Sequence, residues 1–237
     1  MRQRDDMESA CRNTVASAMR ELGLKSRVFK MFKPTMTQVD PSKRPAENVL
    51  EQNFKADRPN QKWVTDITYL ATDCGWIYLA AVLDLFSRKV VGWSISDSLQ
   101  TELVSDALRD AIESRRPDIA NHELLHHSDR GCQYTSDAYQ QTLKTLGITC
   151  SMSRTGCCYD TPGGAVMERF FWSLKQEWTN HHSYADLADG RSSVFQYIEM
   201  FYNRKRIHQT LGYMTPEQYE TEHEQTKTVH APETNVA

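Results

Sequence analysis

Residues 61–96 read QKWVTDITYLATDCGWIYLAAVLDLFSRKVVGWSIS. This stretch contains three runs rich in β-branched and aromatic residues, and the first two are separated by a turn at Asp73, Cys74 and Gly75. Runs of this composition are typical of β-strands, and breaks this short join strands that lie antiparallel to each other. The stretch therefore predicts a meander of three antiparallel strands.

Downstream of the meander the spacing of apolar residues changes from the period of a strand to that of a helix. Apolar side chains from Leu103 to Ile112 line one face of a helix predicted from about Thr101 to Arg115. The segments ELLHHS, DAYQQTLKTLG and ITCSMS follow and predict a strand, a helix and a strand. Such an alternation extends a sheet in parallel. We therefore predict an α/β fold with a mixed five-stranded sheet, three strands antiparallel and two parallel, flanked by helices.

The remaining segments predict the domain organisation. Residues 1–33 contain one short helix, CRNTVASAMRELG, and residues 34–52 are polar, contain prolines and predict a linker. A core at residues 53–221 is expected to end in two helices, near AVMERFFWSLKQEW and SSVFQYIEMFYNRKR. Residues 222–237 are rich in Glu and predict a disordered acidic tail.

Composition excludes several classes of protein. Hydrophobic residues at 39% and charged residues at 25% are close to globular averages. No apolar run has the length of a membrane helix or a signal peptide, so we expect a cytoplasmic, nucleoid-associated protein. The six cysteines form no Cys-x-x-Cys pair, and the adjacent pairs His126–His127 and His181–His182 point to opposite faces if extended, which argues against zinc. The net charge of -3 conceals basic residues between Arg12 and Lys33, balanced by the acidic end.

Three carboxylates stand at positions that ordinary folding explains poorly in combination. Asp66 lies in the middle of the first strand, Asp129 follows ELLHHS, and Glu168 lies on a helix with Lys175 on the same stripe. Each also has an ordinary explanation. Asp66 could face solvent from its strand, Asp129 could stabilise an Asp-x-Gly turn, and Glu168 could lie on an ordinary surface helix. If the three converge, their mutual repulsion requires a compensating charge, and oxygen ligands favour Mg²⁺ or Mn²⁺.

Taken together, the motifs TDITY, HSDRG, MERFFWSLKQEW and YNRKRIHQTLGYMTPEQY resemble the integrase-core transposases of the IS-three family of insertion sequences, downstream reading frame. The resemblance covers roughly residues 53–219. It implies a ribonuclease-H-like fold and an Asp-Asp-Glu triad at Asp66, Asp129 and Glu168. It also implies two divalent ions, Mg²⁺ or Mn²⁺, and contact of Lys175 with DNA.

The resemblance further implies partners and a DNA-binding surface. The partners are double-stranded DNA, as inverted-repeat ends and target, further copies of the chain in a multimer on DNA, and the product of an upstream frame; no membrane is implied. The residues expected to contact DNA are Lys175, Arg169, Asn203, Arg204, Arg206, His208, Arg12 and Arg20.

The sequence departs from the family pattern in two places. Only the last helix of the family's helix-turn-helix is recognisable, so the start is expected to be truncated and to recognise element ends poorly. In addition, 38 residues stand between Asp129 and Glu168, three more than the family spacing, because Thr161–Gly164 replace a shorter segment. Two alternatives follow: an impaired remnant that binds DNA or full-length transposase, and a ribonuclease-H-like nuclease acting on hybrids or junctions.

Overall fold

The computed structural model describes residues 12–24, 45–51, 53–153 and 162–229. The chain divides into two compact units, residues 1–33 and 34–237. In the first unit α1 (Arg12–Glu21) is followed by Gly23, which has a φ of 67° that favours glycine at a helix end. Of the described side chains in this unit, only Met19 is even partly buried. The first unit therefore has no core of its own in its described part.

The second unit is built on one five-stranded mixed sheet. Its strands are β1 (Lys62–Thr72), β2 (Gly75–Asp84), β3 (Val90–Ser96), β4 (Leu125–Ser128) and β5 (Thr149–Met152). They lie in the order β3-β2-β1-β4-β5. The first three strands pair antiparallel, whereas β4 is parallel to β1 and β5 is parallel to β4. The predicted α/β class and the predicted sheet are both confirmed.

Helices cover both faces of the sheet. α2 (Thr101–Arg115) and α3 (Asp137–Thr145) pack on one face, and α4 (Pro162–Glu177) and α5 (Leu187–Phe195) pack on the other. A π-helical segment, Gln196–Tyr202, extends α5, and the last helix is α6 (Pro216–Val229). Because strand side chains alternate, the apolar residues of β1 are divided between the two cores.

Close packing of α2 on the sheet depends on a glycine in β3. A Cβ built on Gly92 would come within 2.5 Å of the carbonyl oxygen of Ala107. Any larger residue would therefore push α2 away from the strand. None of the helices in the described part of the chain has the length and apolar character needed to cross a membrane.

Parts of two segments that were expected to be irregular are ordered. In the expected linker, Leu50 is buried and its backbone N–H donates to Ser151 Oγ, while the N–H of Met152 donates to the carbonyl of Glu47. Residues 45–51 therefore run beside β5. The prediction of a disordered tail was wrong for residues 222–229, because α6 continues to Val229 and the ring of His223 packs against Phe86. Residues 230–237 lie outside the described part.

A buried charge network attaches α6 to the sheet and to α2. Arg115, at the end of α2, donates to both oxygens of Glu220 on α6 at 2.8 Å and lies 3.6 Å from Asp84. Burial raises the pKa of Asp84 to about 6. The N–H groups of Asn60 and Phe86, which donate to its carboxylate, and the charge of Arg115 lower that pKa in part. One guanidinium thus compensates two buried carboxyl groups from different elements.

Candidate active site

The parallel pairing of β1 and β4 brings two of the predicted carboxylates together. Val64 pairs with His127, and the register continued by two residues places Asp66 opposite Asp129, just beyond the end of β4. The carboxyl ends of parallel strands are where open α/β sheets bind ligands. Tertiary structure therefore makes neighbours of two aspartates that are far apart in sequence.

Backbone N–H groups fix one oxygen of each of these carboxylates. Asp66 Oδ1 accepts from the N–H of Ile67 at 2.7 Å, and Asp129 Oδ1 accepts from the N–H of Gly131 at 2.9 Å. Hydrogen bonds of this kind favour the ionised carboxylate and restrict its rotation. Both side chains are therefore held in defined orientations.

Asp66 has strongly perturbed electrostatics. Burial raises its pKa to about 7, and the negative charges of Asp129 and Glu168 act in the same direction. The Ile67 N–H and the Lys175 ammonium oppose this shift. A carboxyl group that is only partly ionised at neutral pH becomes fully ionised when a cation binds beside it.

Helix α4 carries Glu168 and Lys175 to the same region. Its apolar face, which includes Phe170 and Leu174, is buried in the core, whereas Glu168 is exposed. Lys175 is half-buried, and its Nζ lies 4.2 Å from the centre of the Tyr69 ring. Burial lowers the pKa of Lys175, while the charge of Asp66 raises it. The sheet and α4 thus place two carboxylates and a cation near Asp66.

The donor set suits a hard cation, although the carboxylates do not form a closed cluster. Within the part of the chain that the structure describes, no group of three or more His, Cys, Asp or Glu side chains is close enough to hold a metal ion. Asp66 and Asp129 are brought together, and Glu168 influences Asp66 through its charge. Oxygen donors of this type fit Mg²⁺ or Mn²⁺ better than zinc.

The comparison with known proteins agrees with this architecture. Two integrase core domain families match residues 56–158 and 168–223. The transposase InsF of insertion sequence IS3A from Escherichia coli K12 is 45% identical over 208 residues, which are 87% of this chain and 69% of that protein. The chain belongs to the IS3 family of insertion-sequence transposases. It is therefore a DNA transposase, an enzyme that cleaves and joins DNA strands.

Further relatives support both the family and the fold. The transposase of element IS904 from Lactococcus lactis IL1403 is 43% identical over 173 residues, 73% of this chain and 66% of its own. The HTLV-2 integrase catalytic core domain, solved in complex with magnesium, superimposes with a TM-score of 0.52 at 17% identity over 70% of this chain and 99% of that one. The predicted ribonuclease-H-like fold is confirmed for this transposase.

The structure gives three of the expected DNA contacts other roles within the transposase. Asn203 is buried, and its amide pairs with both the N–H and the carbonyl of Val90. Arg206 donates to both oxygens of Glu177 and to Ser173 Oγ. His208 packs edge-on against Tyr202, and burial lowers its pKa to about 4.

Asn203 is buried with both ends of its amide paired, so we correct the expectation that it contacts DNA. Arg206 and His208 are half-buried, and their contact with DNA phosphates stays a prediction. The segment from Asn203 to His208 is basic, and its composition did not show that Asn203 is buried or that Arg206 pairs with Glu177. Arg169, Arg204 and Arg20 are exposed. Arg12 begins α1, but its side chain lies outside the described residues, as does Thr161 of the inserted segment.

Two aromatic residues near the site were missed by sequence reasoning. Tyr69 contacts Lys175, although nothing in the TDITY motif identifies that partner. Trp172 is 41% exposed on α4, one turn after Glu168. The sequence could have shown this position, because a residue four places after Glu168 lies one helical turn away on the same side of α4.

Proposed function

We propose that this transposase cleaves and transfers DNA strands at a metal centre formed by Asp66, Asp129 and Glu168. The observation that carries the proposal is the pair of neighbouring carboxylates, one in the middle of β1 and one just beyond the end of β4, with the pKa of Asp66 raised to about 7 by burial and by Asp129. Groups perturbed in this way concentrate at functional sites. Two neighbouring carboxylates repel each other, and a divalent cation bound by both would remove that repulsion.

Each residue has a distinct task in this proposal. Asp66 and Asp129 would bind Mg²⁺ or Mn²⁺ through the carboxylate oxygens that backbone N–H groups orient, and Glu168 would complete the ligand set for a second ion. Bound metal supplies activation of the attacking oxygen and stabilisation of the leaving oxygen in phosphodiester chemistry. Lys175 would hold a DNA phosphate beside Asp66.

The substrates in this proposal are the inverted-repeat ends of the element and the target DNA. Arg169 and Arg204 are exposed cations of the second unit, and Arg12 and Arg20 belong to the first, so they would add sequence-independent contacts with phosphates. We also propose that the enzyme acts as a multimer on DNA, together with the product of an upstream frame.

Cleavage of labelled element ends tests the assignment of the centre. Wild-type protein with Mn²⁺ is expected to nick the ends and transfer the strand, whereas Asp66→Asn, Asp129→Asn and Glu168→Gln each lose activity by at least about 100-fold. Asp106→Asn is the matched control, because Asp106 is exposed on α2 and pairs only with a neighbouring arginine in the described structure. Activity retained by any of the three variants would remove that residue from the centre.

Two alternative results would change the proposal. Wild-type protein that binds ends but never cuts them, with either metal, would indicate an impaired remnant. Cleavage of an RNA–DNA hybrid in preference to duplex ends would indicate a ribonuclease-H-like nuclease. The inserted segment before Glu168 can be tested in the same assay by deleting Thr161–Gly163 and looking for increased turnover.

A further inference from the structure

An aromatic pair lies under the ammonium group of Lys175. The Nζ atom is 4.2 Å from the centre of the Tyr69 ring. The Tyr69 ring is itself packed against Trp76, with centroids 5.1 Å apart and planes at 81°. Tyr69 belongs to β1, three residues after Asp66, and Trp76 belongs to β2. The two rings therefore connect the strand of the catalytic aspartate to the lysine of α4.

This geometry restricts a side chain that is otherwise flexible. A lysine stem has several rotatable bonds, so an unrestrained ammonium group samples many positions. A cation over an aromatic face is attracted by the ring quadrupole, and more strongly where water is excluded. The edge-to-face contact with Trp76 restrains the Tyr69 ring in turn. Lys175 is thus restrained from the sheet as well as from its own helix.

The restrained position lies within electrostatic reach of the proposed metal centre. Lys175 and Asp66 affect each other's pKa, although Lys175 is two turns of helix beyond Glu168. A phosphate bound by Lys175 would consequently lie close to the carboxylates. Placement of the ammonium group then affects how a DNA end enters the centre.

We infer that Tyr69 is a positioning residue, whose ring holds the Lys175 ammonium group where it binds a phosphate of the DNA end. The inference rests on the proposed contact between Lys175 and DNA. It assigns the function to the aromatic face of Tyr69 and not to its hydroxyl group. Tyr69→Phe should therefore behave as wild type, whereas variants that lack a ring should behave like Lys175→Ala.

Binding of a labelled duplex end, measured over a series of salt concentrations, tests this role. Each phosphate contact contributes roughly 0.9 to the slope of log Kobs against log salt concentration. Lys175→Ala is expected to weaken binding on the order of tenfold and to reduce the slope by about one. Tyr69→Leu, which keeps an apolar side chain, and Tyr69→Ala are expected to produce most of the same loss, and Tyr69→Phe none.

A double mutant separates positioning from an independent contribution. If Tyr69 acts through Lys175, Tyr69→Leu combined with Lys175→Ala binds DNA no more weakly than Lys175→Ala alone. Phe195→Leu is the matched control for loss of an aromatic ring, because Phe195 is 49% exposed at the end of α5, an element that carries neither Tyr69 nor Lys175. Urea denaturation of every variant shows whether a loss of binding reflects unfolding.

The outcomes distinguish failure of the inference from failure of the proposed function. Unchanged binding in Lys175→Ala would refute the proposed contact between Lys175 and DNA. Weakened binding in Lys175→Ala but normal binding in folded Tyr69→Leu, or additive losses in the double mutant, would refute only the positioning role. Loss of binding in Tyr69→Phe would transfer the role to the hydroxyl group and overturn the inference as stated.

Discussion

At the scale of single residues, the structure places a carboxylate where it is unfavourable for stability. Burial and the charge of Asp129 raise the pKa of Asp66 to about 7, whereas an aspartate in an unfolded chain titrates near 4. Ionised Asp66 therefore opposes folding in the absence of a cation. The sign of this effect makes ionised Asp66 a source of instability, which the proposed metal binding would relieve.

We expect Asp66→Asn to stabilise the metal-free protein, and to do so more at pH 8 than at pH 5. A carboxyl group whose pKa is raised on folding has no effect below its unfolded pKa. Its destabilisation grows by about 1.4 kcal/mol per pH unit until the folded pKa is reached. Between pH 5 and pH 8 the advantage of Asp66→Asn should therefore increase by roughly 3 kcal/mol, nearly all of it below pH 7. Urea unfolding with a chelator present measures it, and an advantage independent of pH would contradict the assignment.

Metal binding should also be visible without catalysis. Wild-type protein is expected to gain several degrees in melting temperature when Mn²⁺ is added at pH 8, because the cation binds the folded state only. Asp66→Asn is expected to lose most of that gain, and Asp106→Asn is expected to keep it. An equal gain in all three proteins would place the binding site elsewhere.

At the scale of elements, α4 is braced along its second half by the segment that follows α5. Arg206 donates from Nε and Nη2 to Glu177, and its Nη2 also reaches Ser173 Oγ. Glu177 is the last residue of α4, and Lys175 is two residues earlier. The guanidinium group therefore fixes the end of the helix that carries the proposed DNA contact.

Loss of this brace should reduce stability. Arg206→Ala is expected to lower the free energy of unfolding by about 2 kcal/mol, since a charge-assisted bidentate contact is removed and Glu177 keeps only the Tyr197 hydroxyl as a partner among the described residues. Arg206→Lys should retain only part of the lost stability, because an ammonium group lacks the planar guanidinium geometry that pairs with both carboxylate oxygens. Arg204→Ala is the control, since Arg204 is exposed and lies 3.9 Å from Glu217, and it should change stability by less than about 0.5 kcal/mol. Equal effects of Arg206→Ala and Arg204→Ala in urea denaturation would contradict the brace.

Helix α2 offers two arginines for a direct comparison of buried and exposed ion pairs. Arg115→Ala should lower the free energy of unfolding by about 3 kcal/mol, because Asp84 and Glu220 remain buried without their shared cation. Arg109→Ala removes an exposed pair with Asp106 and should have an effect below about 0.5 kcal/mol. Calorimetric melting of both variants tests the comparison, and a small effect of Arg115→Ala would show that the other contacts of α6, including those of Glu220 with Ser87 and Lys89, suffice to hold it.

At the scale of the whole molecule, the chain consists of two units of different character. The second unit contains both hydrophobic cores, whereas the described side chains of the first unit are almost all exposed. A chain of residues 34–237 is therefore expected to unfold at the same urea concentration as the full chain. Its affinity for DNA ends should fall, with a smaller salt slope, because Arg12 and Arg20 are removed. A large loss of stability would show that the first unit supports the core.

The sequence predicted most of the regular elements, because their signals are local. The predicted helix at 101–115 coincides with α2, since its apolar spacing and its flanking residues mark both ends. Helix α6 and the ordered residues 45–51 were not predicted. Both segments are polar in sequence, and they are held by a few contacts with residues far along the chain, such as that between Leu50 and Ser151.

By itself the sequence determined the α/β class, the order of strands and helices, and the three carboxylates worth considering, because periodicity and motifs are properties of neighbouring residues. Only the tertiary structure decided that Asp66 and Asp129 lie opposite each other, that Tyr69 contacts Lys175, that Asn203 is buried and that Arg206 pairs with Glu177. Strand register and helix packing set these relations across long separations in the chain. Burial, which shifts the pKa of Asp66, is a property of the assembled core and not of any local segment.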